Sequence, residues 1–225
     1  EAIQKFLDKN NISAYNTRLF KETVDGKTVY IVRQASSAVS QADSKGDRQQ
    51  PLEGSKDATV EVAKGDYAEI MAILVEELGK TKETALNDNE KNMLKHYIES
   101  FANGSIEEHK TASRFWIKDK GPIVENYIGF IESYRDPFGV RGEFESFVAV
   151  VNKEMSAKFT ALVDQAPNFL QHLPWGSAYE KDRFLKPDFT SLDIVNFATG
   201  GIPIGINIPN YDDIRQDEGF KNVSL

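Results

Sequence analysis

Two hydrophobic periodicities alternate along this chain, one typical of strands and one typical of helices. Two β-prone runs, residues 13–22 and 27–35, flank the dipeptide Asp25-Gly26, which suits the positive φ angles of a tight hairpin turn. A short strand is expected at about residues 58–63, and a β-branched and aromatic run covers residues 123–133. Helical patterns lie between and after these runs, so the sequence predicts an α+β fold.

Four segments repeat apolar residues at the spacing of an amphipathic helix. Two of them begin with a capping box, in which a glutamate follows three positions after a short polar residue: Asp66 with Glu69, and Ser105 with Glu108. Between them, a helix is expected to start at about residue 88 and to end at Gly104. The longest helical pattern covers residues 143–164, whereas residues 36–57 are polar and predicted to be a loop.

The composition argues against several classes of partner. The chain has 27 basic and 35 acidic residues, a net charge of -8, without the basic block that nucleic acid or an anionic membrane would select. No apolar run approaches the roughly 20 residues that span a bilayer. Cysteine is absent, which fits a reducing compartment, so a cytoplasmic location is expected.

The histidines do not predict a metal site within this chain. They are His96, His109 and His172, and no two lie at the i, i+4 spacing with which one helix face holds zinc. His96 and His109 lie among charged helical residues, where a solvated or packed histidine is more common than a ligand. We therefore expect no metal ligands in these residues.

Glu125 and Tyr127 place an acid and a phenol on one face of the β-prone run 123–133. Polar groups on an otherwise apolar strand are either exposed or satisfied by a specific partner. A carboxylate in such a place can hold a cationic amine, and a tyrosine hydroxyl can donate to a carbonyl or to its oxyanion. The spacing alone leaves both interpretations open.

Residues 200–210, with the sequence GGIPIGINIPN, combine β-prone isoleucines with glycines and prolines that interrupt ordinary sheet pairing. The pattern predicts an exposed strand edge, to which an extended peptide can add as a further strand. Asn207 and Asn210 can accept a hydrogen bond from a ligand amine or cap a turn. An irregular edge strand without a ligand is the alternative.

Three longer strings resemble the dipeptidyl peptidase III family. They are SRFWIKDKGPIVENYIGFIESYRDPFG at residues 113–139, GINIPNYDDIR at residues 205–215 and EGFKNVSL at residues 218–225. A looser similarity continues through residues 13–20, 97–101 and 188–193, and residues 36–57 are the main exception. The resemblance therefore covers nearly the whole chain.

Members of that family remove dipeptides from the amino terminus of short peptides, with zinc held by an HExxxH helix and a second, glutamate-bearing helix. The resemblance implies that both helices lie beyond Leu225, so that the zinc belongs to a longer parent protein. It also implies two lobes. Residues 1–145 and 190–225 would form a lower lobe with a β-barrel-like sheet core, and residues 146–189 a helical part of the upper lobe.

The resemblance also implies roles for individual residues of this chain. Glu125, Asn207 and Asn210 would hold the free amino terminus of a peptide, and Tyr127 would support the scissile carbonyl and its oxyanion. The peptide would pair with an edge formed by Gly201, Ile202, Pro203, Ile204 and Gly205, close to Asn126, Asp212 and Arg215.

Two functions are therefore expected to compete. The first is the substrate-binding part of a zinc-dependent dipeptidyl peptidase, whose partners are short peptides with a free amino terminus and the remainder of its own polypeptide. This chain alone is then expected to be inactive, because the metal and the general base lie elsewhere. The second is a non-catalytic peptide-binding module on the same fold.

Overall fold

The computed structural model describes residues 1–40, 49–180, 182, 184, 186, 188–199 and 201–225. The chain divides into two units. Unit 1 consists of Glu1–Ala112 and Phe130–Glu143, and unit 2 of Ser113–Gly129 and Phe144–Leu225. Strands and helices occur in both, so the predicted α+β class is confirmed.

Unit 1 contains a four-stranded sheet. Its strands are β1 (Thr17–Val24), β2 (Lys27–Ala35), β3 (Gln49–Pro51) and β4 (Ala58–Asp66). Their order is β1-β2-β4-β3, with β2 and β4 parallel and the other two pairs antiparallel. The predicted hairpin turn is confirmed, since Asp25 and Gly26 connect β1 to β2 with φ angles of 49° and 76°.

The loop predicted over residues 36–57 is partly wrong. Strand β3 lies within it, and residues 41–48 are outside the described part of the chain. Leu52 follows β3 and is buried in a core cluster with Val32 and Val60. Burial of Leu52 in this cluster stabilises the chain next to β3, which the polar composition of the segment did not predict.

The helices of unit 1 are α1 (Ala2–Lys9), α2 (Ala68–Lys82), α3 (Asp88–Asn103) and the first part of α4 (Ile106–Lys118). The predicted apolar stripe of α3 is buried, including Met93, Leu94, Tyr97 and Phe101. Gly104 ends α3 with a φ of 75°, and the Ser105 Oγ accepts from the Glu108 N–H at 3.3 Å at the start of α4. The predicted end of α3 at Gly104 and the predicted cap of α4 at Ser105 are therefore confirmed.

The capping box predicted for α2 is wrong. Tyr67 stands at the N-cap with a φ of 56°, and its side chain makes no capping hydrogen bond. The Asp66 carboxylate instead accepts two hydrogen bonds from the Arg18 guanidinium, at 2.7 and 2.6 Å. A bidentate, charge-assisted pair is stronger than a bond to a backbone N–H, so it takes the side chain away from the helix.

Unit 2 contains a five-stranded sheet. Its strands are β5 (Val124–Phe130, the last residue falling in unit 1), β6 (Phe144–Val151), β7 (Asp188–Ala198), β8 (Gly205–Ile208) and β9 (Lys221–Ser224). Their order is β5-β6-β7-β9-β8. The helices are α5 (Lys153–Asp164), α6 (Ala166–Leu170) and α7 (Asp212–Asp217). Among the helices described in either unit, none is long and apolar enough to cross a membrane.

The helix predicted over residues 143–164 is half wrong. Its first half is strand β6, and α5 begins only at Lys153, where the Asn152 Oδ1 accepts from the Met155 N–H at 3.0 Å. Residues 144–151 are rich in valine and phenylalanine, which fit a strand as well as they fit an apolar helix stripe. Antiparallel pairing with β7 decides in favour of the strand.

The β-barrel predicted for the sheet core is also wrong. Neither sheet of the described residues is closed, because β5 and β8 stand at opposite ends of the five-stranded order. Strands β5 and β9 are three positions apart in this order, and the long side chains of Glu125 and Lys221 nevertheless form a direct ion pair. The assignment of residues 1–145, 146–189 and 190–225 to two lobes stays a prediction.

Gly104 gives a test of the connection between α3 and α4. A Cβ here would meet the Ala35 carbonyl oxygen at 3.2 Å, and its positive φ strains any other residue. We expect Gly104→Ala to lower the free energy of unfolding by about 1–2 kcal/mol or more, measured by urea unfolding. The control is Gly79→Ala inside α2, where the added methyl meets nothing within 4 Å and should stabilise by about 0.5–1 kcal/mol. Equal effects at the two positions would contradict this account.

Candidate functional site

Strand β5 places Glu125 and Tyr127 on its buried face. Burial alternates along the strand, so that Val124 is 40% exposed while Glu125 and Tyr127 are 2% and 1% exposed. The predicted shared face is therefore confirmed. The sequence left open whether these polar side chains are exposed or satisfied by specific partners. In the structure both are buried and have specific partners.

The Glu125 carboxylate is bound by donors from two other elements of unit 2. Its Oε2 accepts from the Lys221 Nζ at 2.8 Å, and its Oε1 accepts from the Trp116 Nε1 at 2.6 Å and from the Asn126 N–H at 3.2 Å. Lys221 is fully buried, and its ammonium lies 4.6 Å from the centroid of the Trp116 ring. The ion pair and the cation–π contact form one compact group.

The charge state of this group depends on opposed effects. Burial raises the pKa of Glu125 above its ordinary value, and the charge and hydrogen bond of Lys221, together with the N–H groups of Trp116 and Asn126, offset only part of that rise. Lys221 is therefore the main influence that favours the carboxylate over the neutral acid. Removing either partner would leave an uncompensated charge in the interior of unit 2.

Tyr127 is held from α4. Its hydroxyl lies 2.8 Å from the Ser113 Oγ, and its ring lies 4.6 Å from that of Trp116 at an interplanar angle of 54°. Ser113 and Trp116 are one turn apart on α4, so one helix face holds both buried polar side chains of β5.

Strand β8 forms the outer edge of the sheet and carries the second set of predicted residues. It pairs antiparallel with β9, with Gly205 opposite Ser224 and Ile206 opposite Val223. The Leu225 N–H donates to the Ile204 carbonyl at 2.9 Å, so Ile204 and Leu225, the pair next to Gly205 and Ser224, are a hydrogen-bonded pair. Because hydrogen-bonded pairs alternate in such a ladder, the N–H and C=O of Gly205 point away from β9.

The edge predicted over residues 201–205 is a strand only from Gly205 onward, and the residues that precede β8 are apolar and open. Ile202 and Ile204 are 64% and 90% exposed, Pro203 is half-buried between them, and a Cβ added to Gly201 would meet nothing within 4 Å. Gly205 has a different reason to be glycine, since a Cβ there would lie 2.9 Å from the Val223 carbonyl oxygen. The close approach of β9 therefore leaves no room for a side chain at position 205.

Arg215 holds Asn207. Its guanidinium donates to the Asn207 backbone carbonyl at 2.9 Å and to the Asn207 Oδ1 at 3.0 Å, and it stacks 4.5 Å from the centroid of the Phe220 ring. With Oδ1 turned toward a cation, the amide nitrogen of Asn207 is directed elsewhere as a donor. Asp212 is exposed at the start of α7, and Asn210 is half-buried just before it.

The structure does not join all the predicted residues in one cluster. On β8, Ile208 pairs with Lys221 and is buried, whereas the adjacent Asn207 pairs with Asn222 and is exposed. Because successive side chains of a strand point to opposite faces, the Asn207 amide and the Lys221 ammonium lie on opposite faces of the β8–β9 pair. Glu125 is paired with Lys221 on one face, and Asn207 is bound by Arg215 on the other.

Sequence reasoning missed Ser113, Trp116 and Lys221. All three lie in strings that resemble the peptidase family, but their spacing from Glu125 and Tyr127 carries no local signal. The string EGFKNVSL around Lys221 mixes polar and apolar residues, so its sequence does not mark the lysine as buried. Only the structure shows that Lys221 is buried and paired with Glu125.

The described residues do not supply a metal site. Nowhere in residues 1–40, 49–180 or the described remainder do three His, Cys, Asp or Glu side chains group so that they could hold an ion. His96 lies 2.6 Å from the Glu108 carboxylate, and His109 is buried against the rings of Tyr97 and Phe101. Zinc, which takes four such ligands or three and a water, does not fit the donors present here.

Comparison with solved structures identifies the fold. The fold is similar to that of DPP III from Caldithrix abyssi, with a TM-score of 0.69 at 23% identity over 99% of this chain and 38% of the other. It is also similar to dipeptidyl-peptidase III from Corallococcus sp. strain EGB, with a TM-score of 0.63 at 17% identity over 83% of this chain and 36% of the other. At these identities, the likeness shows the fold alone.

The sequence comparisons show the family. The model of peptidase family M49 matches residues 1–225, and the chain belongs to that family. It is 60% identical to Dipeptidyl peptidase 3 of Homo sapiens over 99% of this chain, and 56% identical to Dipeptidyl peptidase 3 of Nematostella vectensis over 100% of it. The chain spans 30% and 32% of the length of these two relatives.

The Glu125–Lys221 pair predicts strong coupling in stability. We expect Glu125→Gln and Lys221→Met each to lower the free energy of unfolding by about 3–5 kcal/mol, because each leaves a buried charge without its partner. The free energy of unfolding of the double variant should stay within about 1–2 kcal/mol of the wild-type value, a far smaller loss than the sum of the two single losses. Urea unfolding of the four proteins measures the coupling.

Glu154→Gln is the matched control for this cycle. Glu154 pairs with Lys158 on α5 in the same unit, but the two side chains are 85% and 62% exposed. Its loss should cost about 0.5 kcal/mol or less. Additive losses in the cycle would show that Glu125 and Lys221 do not depend on one another.

Proposed function

We propose that the whole protein is a dipeptidyl peptidase and that this chain supplies part of its peptide-binding surface. The observation that carries the proposal is the match to peptidase family M49 over residues 1–225, together with 60% identity to Dipeptidyl peptidase 3 of Homo sapiens. The metal ion of such an enzyme would be held by residues outside this chain.

The exposed edge of β8 supports peptide binding along unit 2. Among the described strands, β8 has a neighbour on one side only, and the outward N–H and C=O of Gly205 can bond to an extended peptide. Ile202, Pro203 and Ile204 continue this edge with apolar side chains that peptide side chains can cover. Backbone pairing provides affinity with little dependence on sequence, which suits an enzyme that acts on varied short peptides.

We further propose that Glu125, Asn207 and Asn210 recognise the free amino terminus of the peptide. In this structure the Glu125 carboxylate is 2% exposed, so direct contact with an amine requires a bound state in which Oε2 is accessible. A carboxylate has about four acceptor sites, and the described donors use three of them, which leaves one on Oε2. Asn207 lies on the opposite face of the β8–β9 pair from Lys221, so its contact with the same amine also requires a rearranged bound state, and Asn210 would approach from the same end of β8.

Tyr127 is proposed to donate its hydroxyl hydrogen bond to the scissile carbonyl, and Asn126, Asp212 and Arg215 to line the neighbouring subsites. Support for Tyr127 comes from its fixed position between Ser113 and Trp116, since a preorganised donor stabilises developing charge better than a mobile one. Arg215 would contribute by fixing Asn207. A cytoplasmic location is proposed from the absence of cysteine.

Release of dipeptides tests the proposal directly. We expect the whole protein, assayed with zinc, to release the first two residues of an unblocked pentapeptide, as followed by mass spectrometry. An N-acetylated pentapeptide should be left intact, because it lacks the cationic amine that the site recognises. The 225-residue chain alone should bind but not cleave.

Two outcomes of that assay favour another account. Binding of the pentapeptide by the whole protein without any cleavage supports the non-catalytic peptide-binding module. Cleavage by the isolated chain places the chemistry among residues 1–225 and contradicts the proposed division of labour.

The edge itself is tested by Ile204→Ala in the whole protein. Ile204 is 90% exposed, so its truncation should leave the free energy of unfolding nearly unchanged, while the loss of its contact with peptide raises KM about fivefold, or about 1 kcal/mol. The matched control is Val195→Ala, a β-branched residue of β7 that is 68% exposed. KM values that respond equally to both substitutions would exclude β8 as the docking edge.

A further inference from the structure

We propose that Lys221 is a positioning residue of the peptide-binding site, which acts by orienting the Glu125 carboxylate and holding it ionised for a peptide's free amine. The inference rests on the proposed function, since it assumes that Glu125 recognises this amine. It adds a residue from β9 to a site otherwise assigned to β5, β8 and α7.

The burial of Lys221 is the first observation. Its side chain is 0% exposed, and its ammonium is fixed between Glu125 at 2.8 Å and the ring of Trp116 at 4.6 Å. Taking two charges out of water costs several kcal/mol for each ion, and an apolar pair of similar volume is often as stable or more so. Since an apolar pair could fill the same space, the presence of two charges here points to a role for the charge itself.

The geometry of the carboxylate indicates that role. Trp116 and the Asn126 N–H both bind Oε1, whereas Lys221 binds Oε2. These donors fix the rotation of the carboxylate, and therefore fix the direction of the acceptor site that is left on Oε2. An ammonium group approaching that site requires a charged carboxylate, and Lys221 is the group that favours this form against burial.

The other titratable group on the same face of β5 is Tyr127. Its hydroxyl bonds with Ser113 and its ring contacts Trp116, so these contacts are with α4 rather than with the carboxylate. Lys221 is the charged side chain that the described residues place against the carboxylate.

Two other roles for Lys221 give different results in an experiment. In the first, Lys221 only stabilises the fold. In the second, its ammonium occupies the position of a peptide's amine and competes with it. A structural role affects all ligands alike, and a competing role strengthens the binding of unblocked peptides when Lys221 is removed.

The experiment compares an unblocked tetrapeptide with its N-acetylated counterpart as inhibitors of the hydrolysis of a chromogenic dipeptide amide by the whole protein. The quantity is the ratio of the two inhibition constants, acetylated over unblocked, which isolates recognition of the amine. We expect Lys221→Met and Glu125→Gln each to lower this ratio about tenfold, the worth of one charged hydrogen bond. The double variant should show no further loss beyond that of Glu125→Gln, because Lys221 acts through Glu125.

Lys221→Gln is measured beside these variants. Its side-chain amide retains a hydrogen-bond donor for Glu125, so this variant should lose less of the free energy of unfolding than Lys221→Met does. It should lower the ratio by a smaller factor than Lys221→Met. This inference is overturned if both Lys221 variants keep the wild-type ratio while Glu125→Gln lowers it, and the proposed function then still stands. A higher ratio in the Lys221 variants would identify Lys221 as a competitor of the peptide's amine. An unchanged ratio in Glu125→Gln would remove the proposed role of Glu125 itself.

Discussion

The buried ion pair between Glu125 and Lys221 is the interaction on which unit 2 depends. A carboxylate and an ammonium that are both removed from water must meet, since neither is tolerated alone in the interior. They belong to strands that stand three positions apart in the sheet, so this one ion pair connects β5 directly with β9.

The same pair organises the elements around it. Trp116 packs its ring on the ammonium and donates its N–H to the carboxylate, which ties α4 to β5 and β9 at once. Ser113, on the same helix face, then fixes Tyr127. The consequence is a rigid inner face of β5, with an open outer edge on β8, a division typical of sites in which fixed polar groups are joined to an adaptable binding surface.

The sequence predicted elements best where the signal was local. The turn at Asp25-Gly26 and the left-handed end of α3 at Gly104 depend on glycine-compatible backbone angles, and both were correct. Strand β6 was taken for helix because its valines and phenylalanines satisfy both periods, and only pairing with β7 distinguishes them. Family resemblance suggested a barrel that the strand order of the described residues does not close.

The candidate site shows the same limit. Spacing on one strand placed Glu125 and Tyr127 on a common face, because alternation is a property of consecutive residues. Their partners Ser113, Trp116 and Lys221 come from a helix and from a strand 96 positions away in the chain, and no local pattern connects such residues. The separation of Asn207 from Glu125 by the pleat of β8 likewise follows from pairing with β9, which the sequence does not specify.

The central claim is that a peptide pairs with β8 while its amine reaches a carboxylate that Lys221 holds in place. A crystal structure of the whole protein with an unblocked peptide bound tests this most directly. The account predicts peptide backbone bonded to the N–H and C=O of Gly205, with the peptide ammonium about 2.9 Å from the Glu125 Oε2 and Lys221 still paired. A peptide bound away from β8, or an ammonium that has displaced Lys221 from Glu125, would contradict it.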